Sequence, residues 1–459
     1  MSGWRLVSTA CVVLAVTWPT RTQANPSAGE GVDNGPDTFR ELRVRRTITV
    51  SEEITGYDRH PGAYFDPGDL ARRPNVMSRN LMSMEVVPNH ALGSLHIRDT
   101  VALTDEYPRQ ESIPVMENFL QEAYLELRPT SSLYVHIGKE NYLSGVSYSW
   151  NPTDYFDNQG SRIYGPEWTG HFRRPLRPGA YMVSLEQFVP AMTVRAIYAP
   201  QIPSPLQEFQ GNAFDKLYAK AALNLLSDFN PEGTFFLKNG KYPGYGAACT
   251  GSLTRQLVVQ FEASINYGSD AVTISDGTPI GPPGAVVRTF EFVPRSPGYY
   301  AQGVLGANYM LPWDVDAIAE YYFNEQGLSG AELTSYSSRL GYSAARAADP
   351  AFDGPTGQNL YWGYIGQAAS RFEASQTARH YAMLHLERDR LGSDKLDCEV
   401  NTIANLQDGG VLVNPRAEYR VDSHIVVRAS AYIILGKNQS EFGWIPERFM
   451  ETTTLAVQF

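Results

Sequence analysis

Residues 256–265 read Gln256-Leu257-Val258-Val259-Gln260-Phe261-Glu262-Ala263-Ser264-Ile265. Leu257, Val259, Phe261, Ala263 and Ile265 fall on one face of an extended chain. Gln256, Gln260, Glu262 and Ser264 fall on the other, with Val258 the exception. Alternation of this kind marks a strand with one apolar and one wet face. It recurs at 216–225, where Leu217, Ala219, Ala221, Leu223 and Leu225 oppose Lys216, Tyr218, Lys220 and Asn224. It recurs again at 425–435, with Ile425, Val427, Ala429, Ala431, Ile433 and Leu435 on one side. Strands of soluble proteins usually run about 5–6 residues. A tilted strand that crosses a membrane needs about 9–11, which is the length seen here.

The rest of the chain fits that reading. It has 459 residues, with 38 Lys+Arg against 49 Asp+Glu and a net charge of -11. The acid excess argues against a nucleic-acid partner, which would call for a basic surface. Beyond residue 24 no stretch approaches about 18 consecutive apolar residues, so a bundle of membrane helices is excluded. The 27 Tyr suit the aromatic girdles of a membrane barrel. At the N-terminus, Arg5 precedes an apolar run from Leu6 to Trp18, and Thr22 and Ala24 fit a small-residue cleavage site. A signal peptide over 1–24 is expected, leaving 25–459 as one barrel. Cys11 sits inside the apolar run, with Ser8 where a large aliphatic residue is usual, so lipidation is not expected. Cys249 and Cys398 remain, paired or unpaired.

Connections alternate in length. Tight turns are expected at Pro129-Thr130-Ser131, Val189-Pro190, Asp228-Phe229-Asn230-Pro231, Tyr267-Gly268-Ser269-Asp270, Pro312-Trp313-Asp314, Leu391-Gly392-Ser393-Asp394 and Val421-Asp422-Ser423. Longer loops are expected at 143–179, 200–215, 239–254, 276–298 and 325–377. Short turns on one rim and long loops on the other are the habit of outer-membrane barrels, and about 18 strands place both chain ends on the short-turn rim. The fold class is all-β: a transmembrane antiparallel up-and-down barrel of the bacterial outer membrane, with membrane lipid as a partner. The last residue, Phe459, follows Leu455 and Val457 at period two. A terminal Phe on such a strand is similar to the signal read by the bacterial barrel-assembly machinery, a second expected partner.

Four stretches carry a family resemblance: residues 122–142 (EAYLELRPTSSLYVHIGKENY), Trp150-Asn151-Pro152-Thr153-Asp154, Asn405-Leu406-Gln407-Asp408-Gly409 and Ser440-Glu441-Phe442-Gly443. Together they resemble the alginate-export-like outer-membrane channels and their relatives. Leu143-Ser144-Gly145 departs from that pattern, where Trp-Gly is expected. The resemblance implies passage or export of a solute or polymer through the barrel.

If the apolar faces meet lipid, the opposite faces line a lumen. Arg416, Arg420 and Arg428 then point inward, and closure brings Arg43 and Arg45 of the first strand onto the same arc. Glu122, Glu126, Glu140 and Glu186 form a second, acidic arc. Segregated charges of this kind would set ion selectivity. The loop at 143–179 carries Trp150, Asn151, Asp154, Arg173, Arg174 and Arg177 and is expected to fold inward as a constriction. No HExxH, Gly-x-Ser-x-Gly or phosphate-binding GxxxxGK[ST] occurs, and the eight His show no zinc spacing. Neither a cofactor nor a metal is expected. Asp422-Ser423-His424 sits in a tight turn on the wrong rim for a surface protease. A channel is therefore favoured over an outer-membrane enzyme or a loop-mediated adhesive barrel.

Overall fold

The structure is a computed structural model. It describes residues 43–59, 63–65, 76–90, 93–107, 115–156, 177–202, 212–223, 229–240, 242–269, 272–278, 289–349, 354–374 and 377–459. The expected signal peptide, Arg173 and Arg174 lie outside the described residues, as do the side chains of Arg43 and Arg45.

The alternating segments become β1 (Arg43–Arg59), β2 (Val76–His90), β3 (Gly93–Tyr107), β4 (Val115–Leu127), β5 (Leu133–Glu140), β6 (Ala180–Val189), β7 (Met192–Ala199), β8 (Lys216–Leu223), β9 (Phe229–Lys238), β10 (Tyr242–Ser252) and β11 (Leu257–Tyr267). A small hairpin, β12 (Val272–Asp276) and β13 (Phe290–Pro294), stands apart. The wall resumes with β14 (Tyr299–Leu311), β15 (Val315–Asn324), β16 (His380–Arg388), β17 (Leu396–Asn405), β18 (Val411–Arg420), β19 (Ile425–Leu435) and β20 (Glu447–Gln458). Each wall strand pairs antiparallel with its chain neighbours, and β1 pairs with β20, closing an 18-stranded sheet. At the seam Phe459 N–H donates to Ile48 O at 2.9 Å and Ile48 N–H to Phe459 O at 3.3 Å. Closure leaves no unpaired edge, which a hydrocarbon environment would not tolerate.

The faces sort as the alternation requires. Phe261, Ile265, Leu305, Leu384 and Leu455 are exposed on the outside, while Glu262, Ser264, Glu320, His385 and Asn401 are buried inside. An exposed apolar exterior is the face a membrane barrel turns to lipid.

Three expectations about the connections are corrected. The supposed long loop at 239–254 is mostly β10, whose sequence YPGYGAACTGS has three glycines and a proline in place of an apolar row. The turn expected at 267–270 instead opens the long connection that carries β12 and β13. The two changes offset each other, so the wall has 18 strands. Phe229, Asn230 and Pro231 belong to β9 and not to a turn. Within 325–377 the chain forms two helices, α1 (Gly330–Ala348) and α2 (Gly354–Ala374). Ser329 and Glu332 close a reciprocal capping box at the start of α1. Cys249 and Cys398 are free thiols.

The long-loop rim is heavily packed. Leu333, Tyr336, Leu340 and Ala344 of α1 join Ile274, Phe290, Phe65 and Trp444 in one apolar cluster. That cluster runs down the inner wall through Tyr322, Tyr381, Met383 and Ile403. Trp444 stacks on Tyr336 at 5.3 Å and donates its indole N–H to Ser337 Oγ at 3.3 Å.

Candidate functional site

The site is built where the loop after β5 turns into the barrel. Gly145 starts that excursion with φ of 91°, and a Cβ there would lie 2.4 Å from Asn151 Oδ1 and 2.6 Å from Glu262 Oε1. Only glycine combines that backbone conformation with so close an approach.

Two inward carboxylates hold the loop. Glu262 of β11 accepts from Val146 N–H (2.8 Å), Ser147 N–H (3.2 Å), Thr153 N–H (2.8 Å) and Thr153 hydroxyl (2.8 Å). Glu320 of β15 accepts from Tyr148 N–H (2.6 Å), Ser149 N–H (2.9 Å), the Ser149 hydroxyl and the Gln260 amide. Both carboxylates are almost fully buried. A buried charge is tolerated when its acceptor capacity is filled, and here the loop backbone fills it. Trp150 stacks on Tyr322 at 4.9 Å, and Tyr155 stacks on Phe236 at 4.4 Å. The loop thus lies along the inner wall between β9 and β16.

Asp154 and Arg177 play a different part from the one expected. Arg177 Nη1 is 2.8 Å from Asp154 Oδ2, and Arg177 also donates to Tyr142 O and Asn141 Oδ1. Both side chains are buried. They staple the two ends of the loop to each other at the wall and neutralise each other there. Asn151 closes a turn in which its carbonyl accepts from Asp154 N–H at 2.9 Å.

The expected segregation of charge is also corrected. Arg416 lies 3.2 Å from Glu399, Arg420 pairs with Asp397, and Arg428 lies 2.8 Å from Glu418. Glu418 is shared, at 3.9 Å from Arg416 and 3.6 Å from Arg420. Register explains the interleaving. Asp397, Glu418, Arg428, Thr454, Glu53 and Arg79 stand directly opposite one another across six strands. The acidic arc is mixed too. Glu122 meets Arg98 at 3.5 Å, Glu126 meets Arg128 at 2.6 Å, Glu140 meets Arg195 at 2.6 Å and Glu186 meets Arg195 at 3.7 Å. His136 lies 3.1 Å from Glu140 and stacks with Tyr124, which stacks in turn on His96.

No protein-family model matches the sequence, and no curated protein sequence matches it. Solved structures do match. Acinetobacter baumannii OccAB1 aligns over 91% of this chain and 96% of its own, at 11% identity and a TM-score of 0.52. Pseudomonas aeruginosa OccK11 (OpdR) aligns over 91% and 96%, at 9% identity and a TM-score of 0.48. The fold is that of a bacterial outer-membrane β-barrel. The likeness supports such a barrel in general and not the alginate-export-like family in particular.

Glu262 and Glu320 were not among the residues singled out from the sequence. Their signal was present: each is an acid in mid-strand, between Phe261 and Ala263 and between Ala319 and Tyr321. An acid amid small and apolar neighbours on a wet face needs donors, and the loop supplies them.

Proposed function

We propose that this protein is an outer-membrane channel for small solutes, passing them along a lumen narrowed by the loop at 144–154. The observation that carries the reading is the clamping of that loop to the inner wall by Glu262 and Glu320. A loop held inside a barrel narrows the passage. Folding effort spent inside the lumen favours a small solute over a bulky polymer. The apolar exterior makes membrane lipid the surrounding partner. Purified barrel added to planar bilayers should give discrete conductance steps. Folded, inserted barrel that passes no current would overturn the reading.

Lumen selectivity follows from the shared acid. Glu418 sits among Arg416, Arg420 and Arg428, and with Glu399 and Asp397 it largely cancels their fields. Glu418→Gln should shift the reversal potential toward anions at low salt. The shift should fade at 1 M salt, where the Debye length is about 3 Å. An unchanged reversal potential at low salt would remove these arginines from the conducting path.

Phe459 is proposed as the assembly signal. Its removal also deletes both seam hydrogen bonds to Ile48. Deletion of Phe459 should reduce heat-modifiable barrel in the outer membrane at equal expression. Equal amounts of folded protein would show that closure and recognition need only the remaining strand.

A further inference from the structure

We propose that His385, Glu387 and Glu399 form a site for a divalent transition-metal ion of the zinc class, set in the lumen wall beneath the inward loop. The proposal is independent of whether solute passes through the lumen.

The first observation is an excess of like charge in one register. Asp316, Glu387 and Glu399 stand directly opposite one another on β15, β16 and β17, all on the inner face. Like charges opposed across a sheet repel. The row ends at Arg416, whose Nη1 is 3.2 Å from Glu399 Oε1, but Arg416 is also drawn toward Glu418. Among the described residues Glu387 meets only His385, and Asp316 meets only the neutral amide of Asn308 at 3.3 Å. Asp316 Oδ1 and Glu399 Oε1 are buried and accept no hydrogen bond. Among the described residues the guanidinium that pairs with this row is Arg416, itself shared with Glu418, and Arg428 acts on Glu399 from farther off.

The second observation concerns His385, which is fully buried. Nδ1 lies 2.8 Å from Asn401 Oδ1, and Nε2 lies 3.3 Å from Glu387 Oε2. When Nδ1–H donates to the amide oxygen, the Nε2 lone pair of a neutral ring faces the Glu387 carboxylate, with the Tyr148 hydroxyl 3.4 Å away on the loop side. A cation between Nε2 and Glu387 turns that repulsion into coordination. An Nδ1–H held by an amide oxygen is also how metal-bound imidazoles are oriented. The candidate ligand atoms of His385, Glu387 and Glu399 already lie within 4.8 Å of one another. Small side-chain movements would bring them to the roughly 2.0–2.2 Å bonds zinc makes with nitrogen and carboxylate oxygen. The Glu387 side chain is 42% exposed, which leaves an entry path and an open position on the lumen side.

Imidazole sets the metal class. Calcium and magnesium take oxygen ligands, while a mixed nitrogen and carboxylate set suits zinc and its neighbours. A bound ion would also steady the loop, because the Tyr148 hydroxyl lies 3.1 Å from His385 Nδ1.

The test uses the folded full-length barrel in detergent, stripped with chelator and titrated with Zn2+ alone. One ion per barrel is expected, with binding retained against a hundredfold excess of Ca2+. Glu387→Gln and His385→Gln should each weaken it by ~10-fold or more, the scale on which metal sites lose affinity when their shell is altered. Glu387→Gln removes a like charge, so its fold is not threatened. Absence of saturable uptake by the wild type would overturn the proposal. Uptake displaced by Ca2+, or unchanged in both variants, would overturn it as well.

Discussion

Replacing Glu262 and Glu320 together by Ala should release residues 144–153 from the wall and raise single-channel conductance severalfold. Each carboxylate takes four donors, and five of the eight are backbone N–H groups of the loop. A hydrogen bond to a charged group is worth about 1.5–3 kcal/mol, and a buried N–H stripped of its acceptor costs about 1–3 kcal/mol. Several such bonds act on one short loop, so their joint loss outweighs what Trp150 gains by stacking on Tyr322. The barrel itself should survive. The ladders of β11 and β15 run backbone to backbone and do not use either side chain. The double variant should therefore keep its heat-modifiable form while the loop becomes open to protease. A protected loop and an unaltered conductance would show that the clamp does not govern the passage.

How much of this could be read from the sequence differs by element. β11, β8 and β19 were legible because lipid on one face and water or protein on the other impose period two. β10 was not, since Gly244, Gly246 and Gly251 stand where side chains would show the alternation. Gly246 has a packing reason: a Cβ there would sit 2.4 Å from Thr234 Oγ1 and 2.6 Å from Thr153 of the inward loop. α1 carried a readable start in Ser329 and Glu332, but its place inside a long loop hid it. Three of the four stretches behind the family resemblance prove to be anchors. Thr153 binds Glu262, and Asn405 and Asp408 meet Glu441. Charge sign was legible residue by residue, whereas its pairing was not. Pairing depends on register, and the row Asp316, Glu387, Glu399 and Arg416 draws on four strands. A search for clustered Cys and His spacing could not see such a row, because a strand presents ligands two residues apart and its neighbours supply the rest.

The last of those anchors should make the long-loop rim looser as pH rises. Glu441 lies in the connection between β19 and β20 and is buried. Its oxygens accept from the Tyr381 hydroxyl at 2.7 and 2.8 Å, from Asn405 Nδ2 at 2.7 Å and from Thr377 N–H at 3.0 Å. Its own N–H donates to Asp408 Oδ2 at 2.7 Å. Burial pushes its carboxyl from the ordinary 4.5 up to about 7; the Tyr381 hydrogen bond pulls it down and the nearby Asp408 carboxylate pushes it up. Burial raises Asp408 in the same direction. A raised acid binds its proton more tightly in the closed rim than in the opened one. Stability of the knot is therefore full below pH 4.5, declines as pH climbs to about 7, and is flat beyond. The gap corresponds to roughly 3–4 kcal/mol, taking ~1.4 kcal/mol per unit. Hydrogen exchange at the Thr377 and Trp444 amides, corrected for intrinsic rates, should be faster at pH 8 than at pH 5. Glu441→Gln cannot ionise, and its amide sets a donor near Asn405 Nδ2, so it should exchange faster at pH 5 yet lose most of the pH slope. Equal protection of the wild type at both pH values, or a slope kept in Glu441→Gln, would show that the proton does not sit on this carboxylate. Because the same connection carries Trp444 against α1, opening this knot would free the helical cap before any wall strand yields.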